Sequence, residues 1–228
     1  MKEYRQPTFT RPPGATEILL VRHGESRAAT ADDPFPLVGG HGDPELHPNG
    51  EQQAIRVGER LKDQPISAVY VTSLRRTSQT AAPLCAHLGL TPIVEPDLRE
   101  VLLGNWEGGL LRIKAHDNDP VYLQMQNEQR WDVIPGAESW AQLDARVLPA
   151  LQRIATRHAD ELVVAVVHGG IIARIVALAT GARPFAFNGA DNGSISHIVM
   201  IEDRILVRRF NDASHLSMQV SAVQAQMT

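Results

Sequence analysis

Apolar residues in this chain gather in short unbroken runs and in longer periodic ones, and the two kinds alternate. Ile18 to Val21 and Leu162 to Val167 are fully apolar and short, which predicts strands buried on both faces of a sheet. Ser67 to Val71 reads as another strand and Pro92 to Glu95 as a short one. Pro48 suits the first turn of a helix whose apolar face is Ala54, Val57 and Leu61. Leu74 to Leu88 is a second helix, with Ala81, Leu84, Cys85 and Leu88 inward, a kink expected at Pro83 and a stop at Gly89. Glu138 to His158 carries Trp140, Leu143, Val147, Leu151 and Ile154 at three- and four-residue steps, a long amphipathic helix that tolerates Pro149. Ile171 to Ala179 is a helix closed by Gly181, and Ser194–Ile201 with Arg204–Phe210 is a closing hairpin turned at Glu202-Asp203. Strands alternating with helices predict a three-layer α/β/α sandwich with a mostly parallel central sheet.

Four stretches break the pattern. Residues 1–15, with Pro7, Pro12, Pro13 and Gly14, read as a loosely ordered arm, and 217–228 as a polar tail, leaving one domain over 16–216. Thr30 to Asn49 is a turn-rich loop long enough to be functional. Residues 97–136 are the least regular, with Trp106, Trp131 and one or two short helices expected. A hydrophobic share of 43% over 228 residues supports a single large core. The net charge of -4 gives no footprint for nucleic acid, and no apolar stretch is long enough to span a membrane. No secretory signal opens the chain, and the lone Cys85 reads as a buried inert thiol, so a cytoplasmic protein is expected, with a homodimer as the default assembly.

The chemistry gathers where strands end. Ile18–Val21 runs into Arg22-His23-Gly24-Glu25, and Leu162–Val167 into His168-Gly169-Gly170. If these strands are parallel neighbours, both histidines reach one sheet edge, where ligands bind in open α/β sheets. Gly24 is expected to turn the chain and to remove a Cβ that would crowd a ligand. The strand ending before Thr72-Ser73 feeds Arg75-Arg76 into a helix N-terminus, which favours phosphate. Leu98-Arg99-Glu100 supplies a carboxyl group. Two His, at least two Arg and one acid describe a phosphate pocket with a nucleophile and a proton donor.

Six stretches, L-V-R-H-G-E-S, L-H-P-N-G-E-Q-Q-A, T-S-L-R-R-T-S-Q-T-A, L-R-E-V-L-L-G-N-W-E-G, P-G-A-E-S and V-V-H-G-G, occur here in that order. Together they resemble the histidine phosphatase superfamily, which includes the cofactor-dependent phosphoglycerate mutases. The resemblance implies that His23 is the nucleophile that becomes a phosphohistidine and Glu100 the proton donor. It implies phosphate contacts from Arg22, Arg76 and His168, with Gly169 and Asn192 beside the substrate. Thr72 takes a Ser place in that pattern, which makes Arg76 the pocket residue and Arg75 a solvated one. The family often has Asn where Ala29 stands, Thr where His47 stands, and Arg where Ala173 precedes Arg174.

The expected activity is a metal-independent phosphomonoesterase acting on a small phosphorylated metabolite, with no cofactor, because guanidinium groups supply the positive charge. Two alternatives stay open: a 2,3-bisphosphoglycerate-dependent phosphoglycerate mutase, and a non-catalytic phospho-ligand-binding protein. Gly108 to Gly136 lacks the paired basic residues a mutase would need, and Glu100 has no purpose in a mere sensor. His41, Asp43 and His47 raise a metal site, but their spacing matches no standard cage. His87, His116 and His158 read as solvated, and His197 and His215 as structural. Arg27, Arg112, Lys114, Arg130 and Arg174 read as a solvated face by default.

Overall fold

The structure, a computed structural model, describes residues 3–216; the tail expected over 217–228 lies outside them. The arm reaches β1 (Thr16–Arg22) without helix or strand, its Phe9 ring lying 3.9 Å beneath the Arg208 guanidinium. In the long loop that follows, β2 (Leu37–Val38) and β3 (His41–Gly42) pair as a small antiparallel ribbon. Then come α1 (Pro48–Leu61), β4 (Ile66–Val71), α2 (Arg75–Leu88) and β5 (Ile93–Val94). The irregular stretch contains α3 (Leu110–His116), α4 (Pro120–Glu128) and three short 3-10 turns. The chain ends on α5 (Trp140–Arg157), β6 (Leu162–Val167), α6 (Gly169–Thr180) and the hairpin β7 (Ile195–Ile201) and β8 (Arg204–Asp212).

The central sheet has the order β5-β4-β6-β1-β7-β8, with β5, β4, β6 and β1 parallel and β7 and β8 antiparallel. Alternate residues face opposite layers. Ile18, Leu20, Val163 and Ala165 pack on Leu143, Val147, Leu151 and Ile154 of α5 and on Ile171, Ile172 and Ile175 of α6. Leu19, Val21, Val164 and Val166 pack on Val57 and Leu61 of α1 and on Ala81 and Leu84 of α2. A three-layer sandwich with a mostly parallel sheet results, as the alternation of elements predicts.

Local signals account for most boundaries. Gly89 and Gly181 both take the left-handed conformation that ends α2 and α6. Ser139 and Gln142 form a capping box that starts α5. His47 stands where a Thr cap is usual, and its Nδ1 accepts the Asn49 N–H at 3.2 Å, so α1 is still capped by a side chain. The helix α2 continues through Pro83, which packs against Gly58 of α1.

Two expectations are corrected. His158 is not solvated but buried, between the Tyr70 hydroxyl at 2.9 Å from Nε2 and Glu161 at 2.6 Å from Nδ1. Gly24 is needed for a different reason: a Cβ there would sit 2.4 Å from the carbonyl oxygen of Gly50, in the first turn of α1. The missing side chain lets α1 close on the segment after His23. Gly24→Ala should therefore lower stability by about 1–3 kcal/mol, the usual range for overpacking, read as a lower urea midpoint at unchanged slope.

Candidate active site

The register of β1 against β6 sets the site. Arg22 pairs with Val167, and the His23 N–H donates to the Val167 carbonyl at 3.0 Å, so His23 and His168 emerge side by side from adjacent parallel strands. Their rings meet edge to face with centroids 5.2 Å apart. Every hydrogen-bonding group of His23 is engaged. Its carbonyl accepts the Asn192 side-chain amide at 2.9 Å. Its Nδ1 lies 2.7 Å from the Gly24 carbonyl, which can only accept, so Nδ1 bears the proton and Nε2 the lone pair. Arg76 Nε–H donates to that Nε2 at 3.2 Å.

Arg76, at the start of α2, also donates to the Gly42 carbonyl at 2.9 Å. Arg22 donates through Nη1 to the Ala190 carbonyl. Two buried atoms of this cluster, Arg22 Nε and His168 Nδ1, have no protein partner, and both belong to groups suited to an anion. Burial, then the Arg76 and Arg22 charges, push the His23 imidazole well below its ordinary pKa. His168 is pushed down by burial and then by Arg76. Burial also lowers the Arg22 and Arg76 guanidinium groups, opposed by the nearby Glu100 carboxylate.

Glu100 comes from the irregular loop after β5. Its Oε1 accepts the Val101 N–H at 3.0 Å and its Oε2 the Gly170 N–H at 3.3 Å. A Cβ on Gly170 would stand 2.6 Å from Oε1, which explains the second glycine of His-Gly-Gly. Gly169 opens α6 against the Arg22 guanidinium. Arg22, His23, Arg76, Glu100 and His168 thus converge as the sequence predicts. Asn192, expected against the substrate, stands beside the site and donates its side-chain amide to the His23 carbonyl.

A cavity of about 270 Å³ opens on this cluster, walled by Phe35, Leu103, Trp106, Leu111 and Trp131. A second, of about 390 Å³, shares Arg22, Glu100 and Arg112 with it and continues past Tyr122, Met125 and Asn188. The roof comes from α3, α4 and the turns beside them, which have their own small core of Trp106, Met125 and Ile134.

Four contributions were not legible as such in the sequence. Arg112, although exposed, is tied down: it donates to Ser26 Oγ at 2.8 Å and to the Arg27 carbonyl at 2.9 Å while lining both cavities. Thr72 does more than fill a Ser place, since its Oγ1 lies 3.0 Å from His168 Nε2. Asp43 holds the start of α2: it accepts the Arg75 backbone N–H at 2.7 Å and the Arg75 Nε–H at 3.3 Å. Arg75 is accordingly ion-paired, although half-exposed. His41 lies between the carbonyls of Gly39 and Glu100, and no group of three or more potential metal ligands stands together among the described residues. The fourth contribution is Arg146 of α5, whose guanidinium group donates to the Glu100 carbonyl at 2.9 Å. Arg174 faces away from the site, paired with Asp144 and stacked 4.7 Å from the Trp140 ring.

A neutral imidazole whose lone pair faces guanidinium groups, with a carboxyl group beside it at a parallel sheet edge, is the arrangement of a phosphoryl-transfer site of the phosphohistidine type. The pattern of the histidine phosphatase superfamily (branch 1) matches residues 18–213, and this chain belongs to that family, an enzyme of the phosphoric monoester hydrolase class. It is 39% identical over 207 residues to phosphoglycerate mutase-like protein 4 of Arabidopsis thaliana, covering 88% of this chain and 86% of that one. It is 32% identical over 205 residues to a metal-independent phosphoserine phosphatase of the same plant, covering 89% and 84%. The native structure of a mycobacterial glucosyl-3-phosphoglycerate phosphatase superposes with a TM-score of 0.72 at 26% identity, covering 87% of this chain and 99% of that one. Among the described residues no helix is long and apolar enough to cross a membrane.

The buried histidines make stability depend on pH. Folded His23 and His168 bind protons less readily than in the unfolded chain, where the value is near 6.5. Below that pH the unfolded state carries more protons, so stability should rise with pH across this window and fall on acidification. Each group contributes up to about 1.4 kcal/mol per pH unit. Urea unfolding between pH 5 and 7 should show a slope that flattens in His168→Asn, and an unchanged slope would contradict the neutral buried pair.

Proposed function

We propose that this histidine phosphatase hydrolyses small phosphomonoesters in two transfers through a phosphohistidine on His23, without a metal ion. The observation that carries the reading is the His23 ring, whose Nδ1–H is fixed on Gly24 and whose Nε2 lone pair lies among cations that keep it neutral. In the first transfer the Nε2 lone pair bonds to phosphorus while the bond to the ester oxygen breaks. That oxygen's electron pair takes the proton of Glu100. In the second, water attacks the same phosphorus, Glu100 as carboxylate takes its proton, and the N–P electron pair returns to Nε2. Arg22, Arg76 and His168 hold the phosphoryl oxygens, Arg76 Nε turning to one of them as the phosphate enters. Arg112 supplies the donor that Ala29 cannot.

The cavity also speaks for the class of leaving group. Its walls are aromatic and aliphatic, and Glu107, the carboxylate beside them, already accepts the N–H groups of Gly42 at 2.7 Å and Leu103 at 2.8 Å. An ammonium group in this cavity would find two carboxylates, Glu100 and a Glu107 already accepting an N–H on each oxygen, facing the cations Arg22, Arg76 and Arg112. We therefore favour an uncharged alcohol with an apolar face over an amino acid or a phosphoglycerate. The same wall argues against a mutase, which must hold a bisphosphate with a second group of cations.

Brief exposure to substrate should label His23, with the label lost on acid quenching, kept on alkaline quenching and absent in His23→Ala. Turnover should survive exhaustive chelation; loss of activity restored by Zn²⁺ or Mg²⁺ would contradict the metal-free mechanism. For the leaving group, kcat/KM for naphthyl phosphate should exceed that for O-phosphoserine by on the order of 10-fold or more. Preference for O-phosphoserine would overturn the leaving-group assignment and leave the mechanism standing. Isomerisation of 3-phosphoglycerate, primed with 2,3-bisphosphoglycerate, faster than phosphate release would favour the mutase.

A further inference from the structure

His23 and His168 sit on strands of the sheet, whereas Glu100 sits on a loop between two single 3-10 turns, Pro96–Leu98 and Gly104–Trp106. A proton donor must be held to within a fraction of an ångström, and within the loop itself the Glu100 side chain has only the Val101 N–H, at 3.0 Å. The rigidity comes from Arg146 on α5. Its guanidinium group uses all five of its N–H donors on this region. Nη1 donates to the carbonyls of Asp97 at 2.6 Å and Arg99 at 2.8 Å, and Nη2 to the carbonyl of Glu100 itself at 2.9 Å. Nε and Nη2 donate to the two carboxylate oxygens of Glu138, at 2.8 and 2.9 Å.

Glu138 closes the loop from the other side. Its Oε2 accepts the Leu102 N–H at 3.2 Å, and its own N–H donates to the Leu102 carbonyl at 2.9 Å. Both partners of this ion pair are largely shielded from solvent, with side chains 16% and 11% exposed. A surface pair would contribute little, but a desolvated bidentate pair defines a geometry. The helix that carries Arg146 is itself fixed, since Leu143 and Val147 on either side of it are fully buried in the core.

We infer that Arg146, held by Glu138, is the positioning residue for the general acid: it fixes the backbone at Glu100 so that the carboxyl group meets the departing ester oxygen. This rests on the reading of Glu100 as proton donor, and no contact of Arg146 with substrate is implied. The consequence is a selective defect. A loosened Glu100 matters when the leaving group is a poor one that needs a proton, and matters little when it departs as a stable anion.

The experiment compares benzyl phosphate, an alkyl ester, with p-nitrophenyl phosphate, an activated aryl ester of similar size. Arg146→Met keeps the methylene stem and removes every donor. It should lower kcat for benzyl phosphate by roughly 100-fold while lowering kcat for p-nitrophenyl phosphate by only a few-fold. Glu100→Gln is the reference and should show the same ordering. Should Arg146→Met fail to fold, Glu138→Gln carries the same test with a smaller ratio between the two substrates. Equal losses on both substrates in the clamp variants, with a leaving-group dependence retained in Glu100→Gln, would make Arg146 a merely structural residue and overturn the inference. Equal losses in Glu100→Gln as well would overturn the acid role of Glu100, and the purpose of the clamp with it.

Discussion

Two guanidinium groups buried beside two neutral imidazoles are an expensive arrangement, and much of this molecule is organised to hold it. Like charges at short range with little water repel, and each buried cation loses hydration. The fold compensates locally. Arg22 donates to the Ala190 carbonyl, Arg76 donates to the Gly42 carbonyl and to the His23 lone pair, and the Glu100 carboxylate opposes both charges. Two guanidinium charges against one carboxylate leave the cluster net positive, and Arg22 Nε and His168 Nδ1 have no protein partner, a combination suited to an anion with acceptor oxygens. The same electrostatics keep His23 neutral and therefore nucleophilic.

The surrounding elements divide the labour. The sheet provides the rigid part, because β1 and β6 are bonded along their full lengths and the His23 backbone continues their ladder. The ribbon β2–β3 brings Gly42 and Asp43 to the start of α2, where one orients Arg76 and the other holds Arg75. The helices α3 and α4 roof the site with an apolar wall and deliver Arg112. Glu100 is the exception, a carboxyl group of the site carried on a loop and tied to the core through a side chain of α5.

Fully apolar runs such as Leu162–Val167 leave few structural options, so the strands, their order with the helices and the sandwich were legible from the chain. The same holds for the convergence of His23 and His168, since residues that follow two parallel neighbouring strands must share an edge. Arg76 was told from Arg75 by the spacing from Thr72 that the family resemblance implies, and helix geometry then turns the neighbouring Arg75 about 100° away. The assignment of Glu100 depended on resemblance to the family, as no periodicity marks a loop residue.

Other readings failed for a physical reason of one kind. His158 follows a helix and looks solvated in one dimension, but the fold closes Tyr70 and Glu161 around it. Arg112 looks like one charge among several until α3 turns it inward towards Ser26. Arg146 and Glu100 lie 46 positions apart, and only the packing of α5 on the sheet brings them together. Local sequence determined which segments are strands and helices and which side chains stand at strand ends, because backbone geometry and burial act over a few residues. Tertiary structure alone decided which carbonyl, carboxylate and cation meet. Those contacts join elements distant in sequence, and their energies arise only after burial has removed water from between them.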